Sequence, residues 1–152
     1  MPVTPVSGPP LPSPRERRTT LALTALYLAA VGLIVLSPTP VDAAGGSFLR
    51  RALAALQRRG FPDWLDYTFV EFSANIVMFA PLGVFFVLLA PRGWRWLAPM
   101  VGFFLSTLIE LMQLLFLPQR VASLYDVLAN TTGALVGTGI AWLLLMARRR
   151  RR

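Results

Sequence analysis

The chain has 152 residues, 55% of them hydrophobic and only 14% charged, against roughly 25% charged in a soluble domain. With no cysteine and no histidine it offers no disulfide framework, no Cys/His zinc site, no Ser-His-Asp triad and no thiol nucleophile. The net charge of +8 comes from fifteen arginines against seven acids; on so apolar a chain it points to anionic lipid as the partner, and no nucleic acid is expected.

Residues 1–18 hold six prolines and end in Arg15, Arg17 and Arg18. Pro-rich polar sequence buries too little apolar surface to fold, so a disordered cytoplasmic tail is expected there. The apolar run Leu21 to Leu36 reaches spanning length as a helix over about 19–37. It is long for a signal-peptide core and is read as a transmembrane helix. In the loop at 37–66, Ser47 is the expected cap of a short helix. Its apolar residues are Phe48, Leu49, Ala52, Leu53 and Leu56, its opposite face carries Arg50, Arg51 and Arg58, and Gly60 and Pro62 stop it. Such a helix would lie in the outer headgroup layer, with a plain solvated loop as the alternative.

Residues 67–89, 96–117 and 124–146 are apolar stretches of 23, 22 and 23 residues, about 33–35 Å long as helices. Arg148 to Arg152 follow as a basic cytoplasmic tail. The expected fold class is an all-α membrane protein, a four-transmembrane-helix bundle over 19–147 with both termini cytoplasmic. That orientation places ten arginines inside and five outside. Trp64, Tyr67 and Tyr125 then mark one interface, and Trp94, Trp96 and Trp142 the other.

Ionisable residues inside a membrane are costly and each needs a reason. The second span carries Glu71 and Asn75 at i, i+4, and the third Ser106, Glu110 and Gln113 at i, i+4, i+7. The fourth carries Asp126, Asn130, Gly133 and Gly137 at i, i+4, i+7, i+11. At about 100° per residue each set keeps to a stripe about 60° wide, so each of these helices has one polar or small face. Those faces are expected to meet in the outer half of the bilayer and to form a pocket that opens outward. Arg120, in the turn above, is the arginine suited to clamp a carboxylate or an anionic headgroup. A divalent cation held by Glu71, Glu110 and Asp126 is the other solution to three gathered carboxylates.

Architectural uses stand beside these readings. Ser123-x-x-Asp126 is a capping-box pattern. Asn75, Gln113 and Asn130 suit hydrogen bonds between spans, and Gly133 with Gly137 suits close helix packing. Glu110 has the weakest architectural use, since gluing helices does not need an ionisable group. Pro81 and Gly83 are expected to kink the second span, and Pro99 falls early in the third.

The sequence resembles the VanZ-like family of small bacterial membrane proteins. The resemblance runs from about Phe69 to Ile140. It rests on Asn75-Ile-Val-Met-Phe-Ala-Pro81-Leu-Gly83, on Ser106-Thr-Leu-Ile-Glu110-Leu-Met-Gln113, on Arg120, and on Asp126-Val-Leu-Ala-Asn130-Thr-Thr-Gly133-Ala-Leu-Val-Gly137, in that order. It implies a multi-pass protein of the bacterial plasma membrane, with Asn75, Glu110, Gln113, Arg120, Asp126 and Asn130 as its polar signature. Founding members are accessory proteins of glycopeptide-resistance clusters, associated with teicoplanin resistance.

Two functional readings follow. The favoured one is a non-enzymatic accessory factor whose pocket, lined by Glu71, Asn75, Glu110, Gln113, Arg120, Asp126 and Asn130, holds a lipid headgroup, a cell-wall precursor or a glycopeptide. The alternative is an intramembrane enzyme acting on a lipid-linked substrate, with Glu110 and Asp126 as acid and base or as metal ligands. A transporter is disfavoured by the apolar inner halves of the spans. If Arg120 acts through its planar fork, Arg120→Lys should impair function almost as much as Arg120→Ala in a cell-based tolerance assay. A fully active lysine variant would remove the clamp.

Overall fold

The computed structural model describes residues 13–37, 46–118 and 123–150. Its elements are α1 (Pro14–Val35), α2 (Gly46–Gln57), α3 (Tyr67–Leu89), a 3₁₀ turn (Arg92–Leu97), α4 (Ala98–Phe116) and α5 (Leu124–Arg150). The described residues contain no strand. Four helices are long and apolar enough to cross a membrane: α1, α3, α4 with the preceding turn, and α5 as far as Arg148. In hydrocarbon a helix is the element that satisfies its own backbone, which is why long apolar runs take this form.

The ends of the helices differ from expectation in instructive ways. α1 starts at Pro14, inside the segment expected to be disordered, because Ser13 and Glu16 close a capping box. The Ser13 hydroxyl accepts the Glu16 N–H at 3.2 Å, and the Glu16 carboxylate accepts the Ser13 N–H at 2.7 Å. Pro14 lies at the first helical position, where its missing N–H is harmless. Residues 1–12 lie outside the described residues. α3 has the expected bounds, capped by Asp66, whose carboxylate accepts the Phe69 N–H at 2.8 Å. Pro81 lies inside α3, which runs on to Leu89. Pro99 is in the first turn of α4, where a proline is tolerated. α5 continues past 146 into the arginines, which are good helix formers and complement its negative end.

The helix expected after residue 46 is present, but Ser47 sits inside its first turn and is not its cap. At its far end the Phe61 N–H reaches the Leu56 carbonyl at 3.3 Å and the Gly60 N–H reaches Gln57 at 3.0 Å. Gly60 has φ +92°, the left-handed conformation that this Schellman ending needs.

α3, α4 and α5 form the core. α3 and α5 run parallel, with Gly133 against the Ile76 carbonyl and Gly137 one turn on against the Ala80 carbonyl. Gly83 returns the contact on the Ala134 carbonyl, and Gly102 of α4 meets the Ala134 side chain. Small residues therefore bring backbones into contact, the packing use expected of them. Val87, Ala98 and Ala141 close one end of this trio. α1 is more peripheral, burying only Val31 and Val35 among its large apolar residues. Its Tyr27 hydroxyl donates to the Met78 carbonyl at 2.8 Å.

A Cβ at Gly137 would run into the Ala80 carbonyl, whereas one at Gly139 would meet nothing within 4 Å. Gly137→Ala should therefore lower the stability of the purified protein by about 1–3 kcal/mol, and Gly139→Ala should lower it not at all. Thermal unfolding in detergent checks both.

Candidate functional site

α1 and α4 finish, and α3 and α5 begin, at the same end of the bundle, because the Gln113 amide near the end of α4 donates to the Val35 carbonyl near the end of α1 at 2.8 Å. The bond is buried and satisfies a carbonyl that the last turn of α1 leaves without a helical partner. The remaining polar residues form a row that descends from this end.

At the top, the Glu110 carboxylate accepts the Ser123 N–H at 2.8 Å. Ser123 precedes α5 and accepts the Tyr125 N–H on its hydroxyl at 3.2 Å. In a capping box within α5, Asp126 would take the Ser123 N–H; the carboxylate that takes it comes from α4. Glu110 is only 8% exposed, so this contact with the start of α5 is made inside the bundle. The residue with the weakest expected architectural use thus pins two spans together. Asp126 faces α3, where the Asn75 amide donates to its carboxylate at 2.8 Å.

One turn deeper on α5, the Asn130 amide donates to the Ser106 hydroxyl of α4 at 2.9 Å, with both side chains buried. Asn130 Oδ1 is buried and has no hydrogen-bond partner among the described residues. Such an acceptor costs about 1–3 kcal/mol until a donor reaches it. Ser106 is spaced one turn from Glu110 and enters the row on equal terms with the amides, and that spacing was the sequence signal for it. No sequence pattern pointed to the Ser123 N–H or the Val35 carbonyl, since both are backbone groups.

The structure thus joins Asn75 to Asp126, Asn130 to Ser106, Glu110 to Ser123 and Gln113 to α1. Glu71 is exposed on α3, one turn nearer the end than Asn75. Arg120 lies outside the described residues. Among the described residues no group of three or more His, Cys, Asp or Glu side chains is placed to hold a metal ion. The Glu110 carboxylate accepts from the backbone at Ser123, and that of Asp126 from the Asn75 amide. An apolar groove along α1, lined by Ala29, Gly32, Leu33, Leu36 and Ser37, includes no residue of the row.

Four apolar helices joined by buried polar contacts define a multi-pass α-helical membrane protein. The family model for VanZ/LLP1 matches residues 23–145, most of the chain, and the chain belongs to that family. The match takes in α1 from Leu23 onward and the whole of α2, as well as the motifs between Phe69 and Ile140. No curated protein and no solved structure matches it.

Hydrogen bonds between spans typically contribute about 0.6 kcal/mol and at most about 1.7. A double-mutant cycle on Asn75→Ala and Asp126→Ala, read by thermal unfolding in detergent, should return a coupling of about 0.5–2 kcal/mol. Strict additivity would show that this bond ties nothing together.

Proposed function

We propose that this VanZ-family protein is a non-enzymatic accessory factor of the bacterial plasma membrane, with both termini cytoplasmic. Its polar row forms an outward-facing site for the polar part of a lipid headgroup, a cell-wall precursor or a teicoplanin-type glycopeptide. The observation that carries this reading is the convergence of Asn75, Glu110, Asp126 and Asn130 from three helices at one end of the bundle. Arginine-bearing α2 stands at that same end, against the start of α3.

The chemistry supports binding over turnover. Glu110 and Asp126 each accept a hydrogen bond from a neighbouring element, which holds their carboxylates in place to receive ligand hydroxyls or amides. The Ser106 hydroxyl accepts from an amide, and no histidine or lysine exists in the chain to activate it as a nucleophile. Asn130 Oδ1, without a partner among the described residues, adds an acceptor at the foot of the row. The ligand is then held by preformed groups that need little rearrangement, which lowers the cost of binding.

Expression in a teicoplanin-sensitive bacterium should raise tolerance to the drug. Glu110→Gln keeps an acceptor for the Ser123 N–H but drops the charge, so it should insert and unfold much like the native chain while losing most of the gain. Asp126→Asn should do the same. A gain that survives both substitutions would refute the site, and no gain from the native protein would refute the resistance role.

A further inference from the structure

The arginine face of α2 takes no part in the polar row. From Gly46 to Pro62 the chain carries Arg50, Arg51, Arg58 and Arg59 and no acid, and all four arginines are exposed. The apolar arc of the helix turns the other way, with Leu53 buried and Leu49 and Leu56 half-buried.

Several contacts make this a fixed platform. The Arg50 guanidinium stands over the Tyr67 ring, 4.6 Å from its centroid. The Gln57 amide donates to the carbonyls of Asp63 at 3.1 Å and Leu65 at 3.3 Å, drawing the return loop back to the end of α2. Trp64, held between those two carbonyls, packs edge-on against Phe69 at 5.0 Å and is 63% exposed. Phe48 and Phe61 are exposed as well. The next acids in sequence are Asp63 and Asp66, and Asp66 is engaged in capping α3. Exposed aromatic rings beside a row of arginines suit the boundary between hydrocarbon and headgroups, where rings rest in the apolar layer and guanidinium groups reach phosphate.

We propose that α2 and its return loop form a binding surface for the phosphate of an anionic phospholipid in the leaflet at this end of the bundle. The argument is charge complementarity: a guanidinium binds phosphate through two parallel hydrogen bonds, and an anionic lipid lacks the headgroup cation that offsets the phosphate of a zwitterionic one. A basic residue near an anionic membrane surface is attracted to it by about 1 kcal/mol. This surface is separate from the polar row and stands whether or not the row takes a ligand.

Trp64 is the natural reporter. The full chain bearing Trp94→Phe, Trp96→Phe and Trp142→Phe, in nanodiscs, retains Trp64 as its one tryptophan. Brominated phosphatidylglycerol should quench its fluorescence at least about twofold more than brominated phosphatidylcholine at equal mole fraction. Arg50→Gln, Arg51→Gln, Arg58→Gln and Arg59→Gln together should abolish the difference, and lysine at the same positions should keep much of it. Should the glutamine set also alter quenching by the zwitterionic lipid, the set Arg51→Gln, Arg58→Gln and Arg59→Gln, which spares the Tyr67 contact and should lose most of the difference, decides. Equal quenching by the two lipids in the native-arginine protein, or a preference that survives the decisive glutamine variant, overturns the proposal. Glu110 and Asp126 are untouched throughout, so either result leaves the polar row to be judged by the tolerance assay.

Discussion

A polar group on a helix inside a bilayer has no water to turn to, and this constraint shapes nearly every contact in the molecule. Threonines meet it locally. Thr24, Thr107, Thr131 and Thr138 each return their hydroxyl to the carbonyl four residues back. The longer side chains cannot do so, and they reach across to another helix. Tyr27 donates to α3, Gln113 to α1, Asn75 to α5 and Asn130 to α4. In lipid, where apolar surface alone gives helices little reason to associate, such bonds act together with close packing to select one arrangement.

Close packing and polar contact depend on each other here. Gly133 and Gly137 let α5 approach the carbonyls of Ile76 and Ala80. That approach places α5 near enough to α3 for Asp126, two turns above Gly133, to meet Asn75. Bulkier residues at those glycines would push the helices apart and strand a carboxylate in an apolar medium. The tight α3–α5 pair is therefore a condition for the polar row, and the row in turn sets the register of the pair.

The two ends of the core are unlike. One is closed in its interior by the apolar side chains of Val87, Ala98 and Ala141. The other gathers acids, amides and the start of α5, with α2 and its arginines alongside. The polar contacts between helices thus gather toward one end of the core. α1 sits at the margin of this arrangement, tied to the core by Tyr27 and by the carbonyl that Gln113 receives.

Much of this could be read from residue order. Long apolar runs determine the spans, because hydrocarbon admits few other forms for the backbone, and α3 has the bounds read for it. The stripes at i, i+4 and i+7 picked out Ser106, Glu110, Gln113 and Asn130, which are buried, but also Glu71, which is exposed, since periodicity is a local property and burial is not. The sequence also held the capping box of Ser13 and Glu16, hidden among prolines that suggested disorder. Tertiary structure alone decided who partners whom. Ser123-x-x-Asp126 reads as a local cap, yet the Ser123 N–H goes to Glu110, thirteen residues away on another helix. The stripes put Glu110 and Asp126 on inward-looking rows, but that Glu110 meets the Ser123 N–H and Asp126 the Asn75 amide is not written in either row. A side chain's direction is set by the periodicity of its own helix, but its partner depends on how the helices are rotated and how closely they approach, and that emerges only when all of them pack together.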